Sequence, residues 1–378
     1  MNLNSHLKKN PDKEKKSWLP SAALLLLVIS GLLFCQRSSM AVIKHIIQPA
    51  SPSEAASPKK EGSDFIKWVD FNVTAQAMNQ AFRYDVDTLQ ASVHLNWVDL
   101  LAYSGARCGG DFSKFQPQLM DEAARRLMAG EITMEELTKD MKYYSYYRQA
   151  YGAVLDGMVG VFEAEIPSSE APGSCLPSGI DGGGPGDPPT VWVKKYGLKS
   201  FSPLAKGFPY NDFDDFGTAR SYGFKRQHLG HDMMGQVGTP VIAVESGYVE
   251  ALGWNQYGGW RIGIRSFDKK RYYYYAHLRK NYPYQSNLKA GSIVQAGDVI
   301  GYLGRTGYSS TENTNNIEEP HLHFGLELIF DESQKESNHE IWIDCYELVK
   351  FLNMNRCETE KVEGTKEWKR VYQMKEER

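Results

Sequence analysis

Three separated segments of this 378-residue chain place imidazoles beside a carboxylate. They read His228-Leu229-Gly230-His231-Asp232, Tyr275-Ala276-His277-Leu278 and Glu319-Pro320-His321-Leu322-His323-Phe324-Gly325. Imidazole nitrogens and a carboxylate oxygen are donors that Zn²⁺ accepts in catalytic centres, three from the protein with a fourth position left open. His321 and His323 stand two apart in a strand-like run and so project from one face, where one can ligate a metal while the other acts beside it as a base. His228 and Asp232 are four apart, but the intervening Gly230 argues against a plain helix. A loop or irregular extended segment can aim both at one ion. An isolated His-x-His is a weak signal that a surface strand would also explain, so its context decides.

The elements that must position these residues are short and β-like. From Val191 onward the chain breaks into runs punctuated by glycine: Pro240–Val244, Gly247–Leu252, Trp260–Arg265, Arg271–Tyr275, Val299–Leu303 and His323–Ile329. Gly, Asn and Asp turns between them predict an antiparallel sheet domain. In an extended run Tyr273 and Tyr275 share the face of His277, whereas Tyr272 and Tyr274 point away. Aromatic residues in strands serve packing, or line a peptide-binding wall.

Upstream the texture is different. Residues 64–166 read as mostly helical, with apolar residues at helical spacing in Ala75–Asp87, Val93–Tyr103 and Asp121–Ala129. Thr133 and Glu136 have capping-box spacing, and a Tyr-rich helix follows. Gly109-Gly110 is a turn between two helices. No convincing carboxylate pair marks a second catalytic site here; Asp111, Asp121 and Glu122 are the acids to mutate first.

Before this region, residues 1–17 are polar and lysine-rich, and Trp18–Cys35 carries no charge. That run is just long enough to cross a bilayer, and the preceding lysines keep the N-terminus cytoplasmic. A cleaved signal peptide is the alternative, with secretion of the remainder. Residues 36–63 read as a Pro/Ser/Ala-rich linker and 167–190 as a Gly/Pro-rich linker. Residues 356–378 read as a charged, fraying tail. A net charge of -3 gives no case for nucleic-acid binding. Five cysteines without a CxxC pair form neither a zinc ribbon nor a disulfide framework; Cys345 and Cys357 either pair or stay as thiols.

Taken together and in order, the motifs resemble the lysostaphin/LytM-type zinc metallopeptidases, a family of peptidoglycan endopeptidases. The resemblance covers about residues 200–345. It rests on His228/Asp232, Tyr275-Ala276-His277-Leu278, Gly297-Asp298-Val299-Ile300-Gly301, Gly304-Arg305-Thr306-Gly307 and His321-Leu322-His323-Phe324-Gly325. It implies that His228, Asp232 and His323 are zinc ligands and that His277 and His321 are the catalytic imidazoles. Of these, His321 is the better candidate for activating water, with His277 at the oxyanion or leaving amine. His231 has no matching role and is expected at the surface or behind the ligands. Asn255, Tyr257, Gly258 and Gly259 fall in a loop that borders the groove in that family.

The expected architecture is multidomain. It comprises a cytoplasmic tail (1–17), a single N-terminal transmembrane helix (18–35), a mostly α-helical middle domain (64–166) and a C-terminal antiparallel all-β metallopeptidase domain (191–355). The expected activity is hydrolysis of peptidoglycan peptides outside the cell membrane, with Zn²⁺ as cofactor and an unknown partner for the helical domain. A catalytically silent envelope scaffold on the same fold is the alternative.

Overall fold

In a computed structural model of the protein, the described residues are 66–170, 189–221 and 225–376. The expected anchor at Trp18–Cys35, the linker at 36–63 and most of the Gly/Pro-rich linker lie outside them. Among the described residues no helix is long and apolar enough to cross a membrane.

The first part is built from α1 (Ala75–Asp87), α2 (Trp97–Cys108), α3 (Pro117–Met128), α4 (Met134–Thr138) and α5 (Tyr144–Leu155). Local signals set their limits. The Thr74 and Asn96 side chains accept from backbone N–H groups of the first turns of α1 and α2. Gly109 ends α2 at φ 65°, in the left-handed region that favours glycine. Thr133 and Glu136 form the expected capping box. The region is not wholly helical: β1 (Val159–Pro167) follows α5 and pairs antiparallel with β2 (Thr190–Leu198) along its whole length.

The second part is antiparallel β. Its strands are β3 (Tyr210–Asn211), β4 (Ala219–Ser221), β5 (Lys225–Gln227), β6 (His231–Gly235), β7 (Pro240–Ile242) and β8 (Gly247–Asn255). They continue with β9 (Gly259–Ser266), β10 (Arg271–Ala276), β11 (Ile293–Val294), β12 (Val299–Tyr302), β13 (His321–Leu328) and β14 (Ile341–Ile343). The main sheet runs β11-β8-β9-β10-β13-β6-β3, with β14 pairing the second half of β13. A short helix, α6 (Tyr346–Leu352), and the strands β15 (Thr359–Lys361), β16 (Trp368–Arg370) and β17 (Met374–Lys375) complete it.

Alternation along the strands separates a packed face from a chemical face. Ile262, Ile264, Tyr273, Tyr275, Leu322, Phe324, Leu326 and Leu328 are fully buried and point into the core. The helices lie on this packed side. Trp97 stacks on Phe351 at 5.6 Å, and Phe82 meets the same ring edge-on at 5.9 Å. The Ala75 amide donates to Glu347 Oε2 at 2.7 Å. The helical segment therefore shares its hydrophobic core with the sheet, from behind.

A buried polar knot ties the two parts together. Arg271 Nε and Nη2 reach Glu245 at 2.7 and 2.9 Å, and Nη1 donates to the Ala153 carbonyl at 3.0 Å. The Tyr273 hydroxyl donates to the same carboxylate at 2.7 Å.

The C-terminal segment departs from expectation. Instead of fraying, β15 pairs with β16, and β17 adds to β1 through Glu163↔Lys375 and Ala164↔Met374. Arg370 is buried, donating to the Ala296 carbonyl at 2.7 Å and the Tyr372 carbonyl at 2.6 Å. Its charged residues conceal a strand because the pairing partner lies some two hundred positions upstream. Cys345 and Cys357 are both buried free thiols, so no bridge joins them.

Truncating one partner of a buried ion pair leaves the other charge uncompensated, at a cost of about 3–5 kcal/mol. Glu245→Ala is expected to lower the urea unfolding free energy by that amount. The apolar pair Glu245→Leu/Arg271→Met should recover most of it, and equal loss in both proteins would contradict the role assigned to the knot.

Candidate metal centre

The chemical face of the sheet carries the site. Register places Asp232 of β6 directly opposite His323 of β13, and His323 opposite Ala276 of β10. Leu322 between the two histidines is fully buried, so His321 and His323 emerge together on the other face. His228 precedes β6 and is held by its backbone, whose N–H donates to the Thr218 carbonyl at 3.0 Å.

His228 Nε2, Asp232 Oδ1 and His323 Nδ1 converge. The separations are 3.0 Å from His228 to Asp232, 2.9 Å from His228 to His323 and 2.9 Å from His323 to Asp232. His228 Nδ1 lies 3.1 Å from both the carbonyl and a carboxylate oxygen of Asp215. Both neighbours are acceptors only, so Nδ1 carries the ring proton and the Nε2 lone pair faces the centre. Acceptor atoms packed this closely repel unless a cation lies among them. Tetrahedral Zn²⁺ with bonds of about 2.0–2.1 Å requires ligand separations of about 3.3 Å, so the donor set fits that ion with little movement. The donors, two nitrogens and one oxygen with no sulfur, suit zinc at a site with a fourth position free. The cofactor of this centre is zinc.

Electrostatics follow from the same geometry. Burial works against a charged His228, but hydrogen bonds to Asp215 and Asp232 outweigh it and carry its pKa up to about 9. Burial opposes the Asp232 carboxylate as well, yet the adjoining His228 and His323 rings hold its pKa far below the usual range. Burial depresses the pKa of His323 despite the Asp232 contact. A proton and a metal ion compete for the His228 lone pair.

Two more imidazoles stand alongside. The His277 and His321 ring centroids are 4.8 Å apart, and His277 lies 5.8 Å from His323. His277 Nδ1 is 2.9 Å from the Thr306 carbonyl, and His321 Nδ1 is 2.8 Å from the Glu319 carbonyl. In each ring Nδ1 therefore donates, leaving Nε2 bare and available to take a proton. Burial, followed by the nearby His321 and His323, pushes the His277 pKa well below its ordinary value.

His277 reaches the site by an unexpected route. Its φ is 62°, in the left-handed region, so the strand alternation ends at Ala276 and the ring swings to the metal face. Tyr273 and Tyr275 consequently do not share its face; they are core residues. It is Tyr274 that faces the site, with its ring 5.9 Å from His323 and its hydroxyl 3.4 Å from Asn255 Nδ2. The loop at 255–259 borders this region. Asn255 Oδ1 accepts from the Tyr257 and Gly258 amides at 3.0 and 2.6 Å, and the Gly258 carbonyl accepts from the His277 amide at 2.7 Å.

His231 is not at the surface. It is buried, its Nε2 is 2.9 Å from Asp212 Oδ2, and its ring packs 5.5 Å from Tyr346. Sequence reading missed Asp215, Arg220 and Tyr308. Arg220 Nη2 bridges Asp215 at 2.6 Å and Asp232 at 3.3 Å, and the Tyr308 ring lies 5.6 Å from His277. A spacing motif could not have singled them out from other acids, arginines and tyrosines nearby.

Fold and site together define an antiparallel β metal-binding domain with spare imidazoles. Residues 226–337 match peptidase family M23, so this part of the chain carries a domain of that kind. An L-Ala–D-Glu endopeptidase of Bacillus subtilis (strain 168) is 40% identical over 124 residues, 33% of this chain and 36% of that protein. The glycyl-glycine endopeptidase ALE-1 of Staphylococcus capitis is 41% identical over 98 residues, 26% of this chain and 24% of that protein. The catalytic domain of lysostaphin from Staphylococcus simulans gives a TM-score of 0.29 at 33% identity, over 37% of this chain and 92% of that chain. The chain thus spans little more than a third of the first curated relative and less of the second.

Gly230 offers a direct probe of the centre. A β-carbon there would lie 2.5 Å from His323 Cε1 and 2.9 Å from the Phe324 carbonyl oxygen. Gly230→Ala should displace His323 and weaken zinc binding by about tenfold or more, read by chelator competition, because misaligned ligands lose affinity on that scale. Unchanged affinity would show that the His323 position is not required.

Proposed function

We propose that the chain is a membrane-anchored zinc metallopeptidase that hydrolyses peptide bonds in peptidoglycan stem peptides or cross-bridges. The observation that carries this reading is the pairing of a three-donor centre with two further imidazoles whose Nε2 atoms are bare. A scaffold needs neither an open coordination position nor proton acceptors beside it.

His228, Asp232 and His323 hold the ion, and His277 and His321 are the catalytic residues. Zinc supplies Lewis acidity, lowering the pKa of water to about 7 and polarising a carbonyl. The chain's residues do the rest. His321 Nε2, 3.8 Å from Asp232 Oδ1, stands beside the ligands with a free lone pair and takes the proton from the attacking water. The Glu319 carbonyl, accepting from Nδ1, fixes the tautomer this role requires. The proton taken by His321 passes to the leaving amine, and His277, kept neutral by burial with its ring 4.8 Å from that of His321, relays it.

The helical segment packs on the opposite face of the sheet, so we assign it the role of a brace behind the site rather than a plug over the groove. The anchor reading rests on the uncharged run Trp18–Cys35 and the lysines before it, with the folded part outside the cell membrane.

Full-length protein incubated with zinc and purified sacculi should release new amino groups, with mass spectrometry of the fragments naming the bond. His321→Ala should retain one zinc and lose turnover by about a hundredfold or more, the usual scale of general-base catalysis. Stoichiometric zinc without any release of amino groups in wild type would favour the silent scaffold. In fractionated cells, a tag placed before Trp18 should remain on the membrane-bound protein; a mature protein lacking that tag indicates signal cleavage instead.

A further inference from the structure

Positive charge beside the metal centre is unevenly satisfied. Arg220 is engaged by Asp215 and Asp232. Arg265 is engaged by Glu332 at 2.6 Å, by Glu250 at 3.5 Å and by the Lys269 carbonyl at 2.7 Å. Arg226 and Arg261 differ. Neither has a carboxylate partner among the described residues, and the Nε of each is buried without a hydrogen-bond acceptor. Among the described residues the Arg226 side chain donates only to the Tyr308 hydroxyl. Holding such donors away from both water and partner is costly, which is explained if a ligand completes them.

Register and packing place both on the metal face. Tyr275 pairs with Ile262 while Ala276 pairs with His323, so Arg261 on β9 lies beside Ala276 and in line with His323. Ile262 and Ile264 fill the core, which leaves Arg261 on the opposite face. Arg226 approaches from β5: its guanidinium lies 5.2 Å from the Tyr308 ring centroid, and that ring is 5.6 Å from His277. Tyr274 lies on the same face, paired with Gly263 two residues along from Arg261, and its ring is 5.9 Å from His323.

We infer that Arg226 and Arg261 form a carboxylate-recognition subsite flanking the metal centre, selecting peptides with a free carboxylate beside the scissile bond. A guanidinium presents a rigid fork of donors that matches a carboxylate. A D-glutamyl residue supplies one, because only one of its two carboxyl groups can be used in the chain. A glycyl-glycine bridge supplies none. This deepens the peptidase reading, and depends on it for which bond is scissile.

The test is equilibrium binding to zinc-loaded, full-length His321→Ala protein, which holds peptides without consuming them. Two synthetic probes are compared: a stem peptide containing L-Ala–D-Glu, and the same peptide with the free carboxyl converted to a carboxamide. The acid should bind about tenfold tighter than the amide, as expected for a charge-assisted pair. Adding Arg261→Gln or Arg226→Gln should each reduce that ratio while zinc content stays at one per chain, and Arg261→Lys should keep part of it. Equal or undetectable binding of the two probes, or a ratio that neither glutamine variant changes, overturns the inference. Should either variant fail to fold, the ratio in the His321→Ala parent still decides. Preferential binding of the acid together with no cleavage of either probe by wild type would defeat the peptidase reading and leave the subsite standing.

Discussion

The constraint on which this structure depends is the meeting of three acceptor atoms within about a hydrogen-bond length of one another. His228 Nε2, Asp232 Oδ1 and His323 Nδ1 are 2.9–3.0 Å apart, and they come from a loop and two neighbouring strands. Desolvated acceptors so close together are unfavourable without a cation, and the energy to hold them must come from elsewhere in the fold. The pairing of β6 with β13 supplies the position of Asp232 and His323. Asp215 and Arg220 supply the orientation, one by accepting from His228 Nδ1 and the other by bridging two carboxylates. Such outer contacts set both tautomer and aim.

The division of the sheet into two faces makes this possible. One face is filled by Ile, Leu, Phe and Tyr packed against the helices, with the Glu245–Arg271 knot tying them together. Strands held so firmly from behind can present polar groups on the other face at fixed positions, which is what a preorganised site requires. The left-handed backbone at His277, where the alternation of β10 ends, brings a fourth imidazole onto the working face. Conformations of this kind are costly and persist where their surroundings hold them, here the Gly258 carbonyl on the amide and the Thr306 carbonyl on the ring.

Much of this was legible in the sequence, for identifiable reasons. His321 and His323 were placed correctly because strand alternation is a local rule that no tertiary contact overrode. The limits of α1 and the Thr133 capping box were legible because caps are set by residues three or four apart. The faces of Tyr273, Tyr274 and Tyr275 relative to His277 were misread because a positive φ at a non-glycine residue leaves no mark in composition. The C-terminal strands were hidden for another reason: β17 exists through β1, and a charged segment shows its pairing only once that distant strand is known. Asp215 was invisible because nothing in the run Asp212–Asp215 distinguishes the acid that turns inward from those that do not.

X-ray absorption at the zinc K-edge tests the central claim most directly, since it reads the donors rather than the consequences of binding. The account predicts four light N/O neighbours at about 2.0–2.1 Å, outer-shell scattering from two imidazoles, and no sulfur. A third imidazole in the first shell, a sulfur neighbour, or an undefined set of ligands would contradict the assignment of His228, Asp232 and His323.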